Sequence, residues 1–362
     1  MSKNIIVCAD GTGNSFGRSV SNVARMITFL ALDCHCTQVV VYDQGIGTDT
    51  RRWREIEKFG EAIPDRKALY LELAKLYEED DRVFLFGFSR GAFTVRALAG
   101  LIYRCGLPQH DHADTQRFKL AWQLFLPMRP CKDQIKEFLA TEGQRECPIH
   151  FLGIWDTVKS YGGLHPRMLP HLRHNPIVTH VRHALALDER RGWFDVTTWG
   201  RLDIDRQPDA AWSRLSERVR DQIEQQDVEE VWFRGCHSDI GGSDREAQSA
   251  RVALRWMLGE AAQAGLRLNA DGCCLLKSTP EHERAEVHES HTLAWRLIEL
   301  LPRLTIDNSG KWPKRVAAPT RQAVRHPDLL LRNGVVTVHD SVDEASVRRV
   351  ATKNLQQGAA DV

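Results

Sequence analysis

In Arg82-Val83-Phe84-Leu85-Phe86-Gly87-Phe88-Ser89-Arg90-Gly91-Ala92 an apolar run of strand character meets a serine flanked by two glycines. Ala92 to Tyr103 then follow helical spacing, with Val95, Leu98, Ala99 and Ile102 on one face. Gly-x-Ser-x-Gly alone arises often by chance. Between a strand and a helix it has the context of a nucleophile elbow, a sharp turn that presents a serine hydroxyl above the end of a sheet. The turn needs a strained backbone at the serine, and Gly87 and Gly91 remove side chains where strand and helix approach. The helix N-terminus sets the free amide of Arg90 beside any oxyanion formed at Ser89, and one such donor is worth about 3 kcal/mol in acyl transfer.

Similar runs recur along the chain. Ile5 to Ala9, Val39 to Tyr42, Ile149 to Ile154 and Val228 to Phe233 are short, rich in β-branched and aromatic residues, and stop abruptly at small or polar residues. Strands buried on both faces of a parallel sheet have this pattern. Lys67 to Asp80, with Leu69, Leu73 and Leu76 at helical spacing, reads as an amphipathic helix before the serine strand. The alternation predicts an α/β fold, an α/β-hydrolase-like doubly wound and mostly parallel sheet, whose site lies beyond the carboxyl ends of its strands. Less regular stretches at about 107–147 and 159–226, with Trp122, Phe125, Pro166, Pro170 and Pro176, are expected to form cap insertions over that site. One catalytic domain over 1–310 and a polar C-terminal extension over 311–362 follow.

The residues just after the strands are the candidates for chemistry. His237, in Gly235-Cys236-His237-Ser238-Asp239-Ile240-Gly241-Gly242, stands four residues past the last run and is the expected general base for Ser89. The expected orienting acid is Asp156, directly after Ile154 and Trp155 and between Ser89 and His237 in the chain. Asp188, after Ala184-Leu185-Ala186-Leu187, competes with it, and Asp239 is expected to brace the histidine loop or bind a cation. The first loop, Asp10-Gly11-Thr12-Gly13-Asn14, is placed to give a second oxyanion-hole amide from Gly11 or Thr12, with Asp10 as its anchor. The same letters resemble an aspartate-nucleophile phosphatase signature, but Cys8 occupies the nucleophile's position. A metal-dependent hydrolase using Asp10, Asp156, His237 and Asp239 is a further alternative, as is a hydrolase-like module that binds without catalysing.

Composition narrows the partners. The 362 residues carry 49 basic and 48 acidic side chains, a net charge of +1, so no overall field draws the chain to nucleic acid. Nine cysteines, irregularly spaced and odd in number, predict free thiols in a reducing compartment. No run reaches the roughly 18 apolar residues of a membrane span, and no signal peptide is read at the start. The expectation is a cytoplasmic protein, with signal-less export open to it and peripheral contact with lipid surfaces possible through its substrate. No cofactor is implied. The five histidines from His165 to His183, and Cys34-His35-Cys36, lack structural zinc spacing and are read as loop or surface residues.

With these residues in view, the chain resembles a bacterial and fungal family of α/β hydrolases that includes the catalytic domain of phospholipase effectors of type VI secretion systems. The resemblance rests on Asp10 to Asn14, the block Phe84 to Ile102, Gly153 to Val158, Ala184 to Glu189, Trp232 to Gly242 and Ala253 to Met257. It implies Ser89 as nucleophile, Asp156 as acid and His237 as base, and ester hydrolysis extending to phospholipids. Two departures, at Phe59 to Pro64 and at Ser243, bear on the substrate and the shape of the pocket.

Overall fold

The computed structural model describes residues 2–11, 20–44, 63–127, 131–141, 144–158, 161–162, 165–166, 169–192, 194, 196–200, 215–242, 248–278, 287–288, 290, 303–305, 314–316, 337–340 and 342. Its centre is a parallel sheet. In chain order the strands are β1 (Asn4–Ala9), β2 (Gln38–Asp43), β3 (Arg82–Phe88), β4 (Ile149–Trp155), β5 (Val178–Ala186), β6 (Asp227–Phe233) and β7 (Thr337–Val338). Across the sheet they lie in the order β7-β6-β5-β4-β3-β1-β2, every neighbouring pair parallel. The order runs outward in both directions from the β1/β3 region, which is the doubly wound, α/β-hydrolase-like architecture.

Helices cover both faces. They are α1 (Asn22–Ile27), α2 (Ile63–Leu76), α3 (Arg90–Cys105), α4 (Thr115–Phe125), α5 (Lys132–Thr141), α6 (Glu217–Glu224), α7 (His237–Gly241), α8 (Gln248–Gln263) and α9 (Ala270–Lys277). The period of two along a strand divides its residues between two cores. Ile5, Val7, Val83 and Leu85 pack with Leu69 and Leu73 of α2, Val95 and Leu98 of α3 and Phe118 of α4. Ile6, Cys8, Phe84 and Phe86 pack with Val23 and Met26 of α1 and with Leu254, Met257 and Leu258 of α8. Being apolar on both faces, β1 and β3 have the near-continuous hydrophobic sequences noted above.

Several expectations need correction. The stretch 159–226 is not wholly a cap, because it contains β5, which lies between β4 and β6 in the middle of the sheet. His183 sits on that strand and is fully buried, so it is no surface histidine. In the stretch 107–147, Phe118, Ala121, Trp122 and Phe125 of α4 belong to the core against α2 and α3. The polar tail also reaches back to the domain. Thr337 and Val338 pair with Val231 and Trp232 of β6, and His339 stacks on Phe233 at 4.7 Å. Lastly, Cys34 and Cys36 are joined by a disulfide at an exposed turn, while Cys8, Cys105, Cys131, Cys147, Cys236, Cys273 and Cys274 are free. Among the described residues no helix is long and apolar enough to cross a membrane.

Candidate active site

Ser89 stands between β3 and α3 with φ at 56°, a left-handed conformation that only a tight structure imposes on a non-glycine residue. Its amide donates to the Trp155 carbonyl at 3.0 Å, tying the turn to the end of β4. The flanking glycines are required by space. A Cβ on Gly87 would come within 2.6 Å of the Ala92 nitrogen, and one on Gly91 would overlap the carbonyl of Ala9. Ser89 occupies the N-cap position of α3 without using its side chain as a cap. Its hydroxyl is engaged elsewhere, donating to His237 Nε2 at 2.8 Å.

His237 opens α7, the first surprise of this region, since the sequence reads as an open glycine turn. Asp239, three residues past the N-cap Cys236, accepts the Cys236 amide at 3.0 Å and so closes a capping box. The imidazole is fixed at both nitrogens, since Nδ1 donates to Asp156 Oδ2 at 2.6 Å. Two aromatic rings lie against it: Phe88 at 4.7 Å, tilted by 33°, and Phe194 at 4.9 Å in an edge arrangement.

Asp156 follows β4 directly and is fully buried, with φ at 42°. Its amide donates to the Ala184 carbonyl at 2.8 Å, and its Oδ1 accepts the Ala186 amide at 3.0 Å. Asp188 takes another role. It accepts the Gly235 amide at 2.9 Å and pairs with Arg234 at 3.3 Å, bracing the approach to the histidine from below. Asp239 likewise braces, and it also binds His288 Nδ1 at 2.7 Å. Asp10 anchors the first loop by accepting from the Gly11 amide at 2.6 Å, Ser21 Oγ at 2.7 Å and the Tyr42 hydroxyl at 2.8 Å. That first contact turns the Gly11 amide onto Asp10, away from the oxyanion role expected of it, and Thr12 lies outside the described residues. Asp10, Asp156, His237 and Asp239 do not converge as a cation site; among the described residues no cluster of three or more His, Cys, Asp or Glu side chains does.

Two site residues escape a reading of the sequence. Glu189 is buried, accepts the His237 amide at 3.0 Å, and holds Arg191 through two contacts of 2.9 and 2.8 Å. Arg191 in turn lies over the Phe194 ring at 3.6 Å, which backs the imidazole. Only the acid itself, directly after Asp188 in an apolar run, is visible in the sequence. Burial lowers the pKa of the Arg90 guanidinium to about 10, so the residue after Ser89 is still a cation at neutral pH.

A parallel sheet with helices on both faces, and a serine raised on a strand-to-helix turn above it, define an α/β-hydrolase-like protein. The chain belongs to the family described as the catalytic domain of Tle1-like phospholipase effectors of the type VI secretion system, which residues 3–260 match. It is 36% identical over 219 residues to YEL023C, an uncharacterized protein of Saccharomyces cerevisiae (strain ATCC 204508 / S288c), a match covering 53% of this chain and 32% of that protein. It is similar in structure to an uncharacterized protein from Pseudomonas aeruginosa, at 17% identity and a TM-score of 0.44, over 77% of this chain and 48% of that one. The Tle1 effector bound to the VgrG spike of the type 6 secretion system is similar at 16% identity and a TM-score of 0.35, over 67% and 51% of the two chains. The chain thus spans about a third of the curated relative and about half of each solved chain.

Proposed function

We propose that the chain is a serine hydrolase that cleaves carboxylic esters of lipids, phospholipids among them, through an acyl-enzyme on Ser89. The observation that carries this reading is the unbroken run of hydrogen bonds from Ser89 Oγ to His237 and on to Asp156, at 2.8 and 2.6 Å. His237 takes the hydroxyl proton on Nε2 as Oγ attacks the ester carbonyl carbon, and Asp156 stabilises the imidazolium. The Arg90 amide, at the free end of α3, faces the developing oxyanion. His237 then returns the proton to the departing alcohol, and water releases the acid by the same relay. Family membership supports a lipid ester as substrate, and the Arg90 cation suits one that carries a phosphate. In this reading the protein touches membranes from their surface, acts from the cytoplasm or after signal-less delivery, and needs no cofactor.

A fluorophosphonate probe tests it. Native protein is expected to be labelled, Ser89→Ala to be unlabelled, and EDTA to leave both labelling and ester turnover unchanged. Folded native protein that takes no label would overturn the reading in favour of a metal-dependent or purely binding role.

A further inference from the structure

Behind the proposed acid lies a second histidine paired with a carboxylate, the histidine fully buried and the carboxylate half-buried. His183 on β5 and Glu230 on β6 are partners in register across the two strands. His183 Nδ1 donates to Glu230 Oε1 at 2.8 Å, and its Nε2 accepts the amide of Thr157 at 3.2 Å. A backbone amide can only donate, so Nε2 bears no proton and the ring is neutral with its hydrogen on Nδ1. Burial favours that neutral form, lowering the pKa of His183 against the pull of Glu230.

Thr157 is the residue after Asp156, and its carbonyl accepts the Thr197 amide at 2.9 Å. Thr157, the residue that continues from the acid, is therefore held at both its backbone amide and its carbonyl. Asp156 needs such a hold, since its own φ of 42° is one that an aspartate leaves readily when unsupported. The support extends back to the serine helix. Glu230 Oε1 also accepts the Trp199 amide at 2.7 Å. Arg96, about two helical turns past Ser89 on α3, donates to the Thr197 and Thr198 carbonyls at 2.5 and 3.2 Å and lies over the Trp199 ring at 5.1 Å.

We infer that His183 and Glu230 are positioning residues: they fix the Thr157 peptide and thereby hold the Asp156 carboxylate in line with His237. The inference rests on the function proposed above. Its effect is on the chemical step, so it is read as a change in kcat with KM unmoved.

The test compares native protein, His183→Leu, His183→Gln and Glu230→Gln, each at a temperature well below its melting point, with p-nitrophenyl butyrate and the fluorophosphonate probe. His183→Leu is expected to lower kcat and the labelling rate by about 10- to 100-fold, the scale of a misplacement transmitted from outside the reacting atoms. His183→Gln keeps an acceptor within reach of the Thr157 amide and is expected to recover most of that loss. Folded His183→Leu that labels at the native rate overturns the inference, as does equal impairment in the leucine and glutamine variants. If the leucine variant does not fold, Glu230→Gln decides: it keeps an oxygen for the His183 and Trp199 donors but removes its charge, weakening the anchor of His183, so an unchanged kcat overturns the inference. Absence of label on native protein is a different result, which removes the proposed function itself.

Discussion

At His237 two kinds of restraint meet. Hydrogen bonds hold both nitrogens of the imidazole, and the Phe88 and Phe194 rings pack against it. Gly241 shows how little room is left, since a Cβ there would fall within the Phe88 ring. Gly241→Ala is expected to cost about 1–3 kcal/mol through overpacking and to slow labelling of Ser89, because the ring it displaces backs the base. A urea titration together with a labelling time course checks both. Arg90 poses a separate question of substrate. Arg90→Gln keeps the backbone amide and removes the charge, so hydrolysis of a phosphatidylglycerol vesicle is expected to fall by at least about 10-fold relative to p-nitrophenyl butyrate, for a lost charged contact of 1.5–3 kcal/mol. Equal losses on both substrates would show that the guanidinium does not select for phosphate.

Among the elements, β5 is the one with the most unusual interior. Its Arg182 binds Asp227 and Glu260 at 2.5 and 2.6 Å, and its His183 is neutral and buried. On β4, His150 is also held below its ordinary pKa, chiefly by burial. Both imidazoles take up a proton near pH 6.5 in the unfolded chain but only at lower pH in the folded protein. Just below pH 6.5 the unfolded state therefore binds more protons, and stability falls as the pH falls. The melting temperature is expected to drop on acidification through this range, and to drop less steeply in His183→Gln. The same polar residues explain why β5 is hard to read from sequence. Thr179, His180, Arg182 and His183 interrupt its apolar pattern, and the partners that satisfy them, Asp227, Glu230 and Glu260, come from later elements. By contrast β1, β3 and β4 bury both faces against apolar neighbours, and their sequences say so directly. Ser89 and Asp156 drew attention in the sequence for the same reason, each standing near the end of an apolar run, and His237 stands four residues past one. The contacts of Glu189 and Phe194 with His237 were not legible, because they lie in a loop conformation that no local pattern encodes.

In the whole molecule, the central sheet takes up a strand from beyond residue 310. Val342 packs with Leu185, Leu187 and Trp232, and His339 donates its amide to the Trp232 carbonyl at 3.0 Å. Truncation after residue 310 is expected to lower the melting temperature and to promote association, since it uncovers the hydrogen-bonding edge of β6. Light scattering and a thermal melt would show it, and a truncated protein as stable and monodisperse as the full chain would restore the earlier boundary.

That edge has a history in time as well as a place in space. Roughly a hundred residues separate Phe233, at the end of β6, from Thr337, at the start of β7. At about 5–20 residues per second, a ribosome takes about 5–20 s to deliver the strand that closes the sheet. For that interval β6 carries an open row of amides and carbonyls along its outer edge, the kind of edge that pairs with strands of other chains.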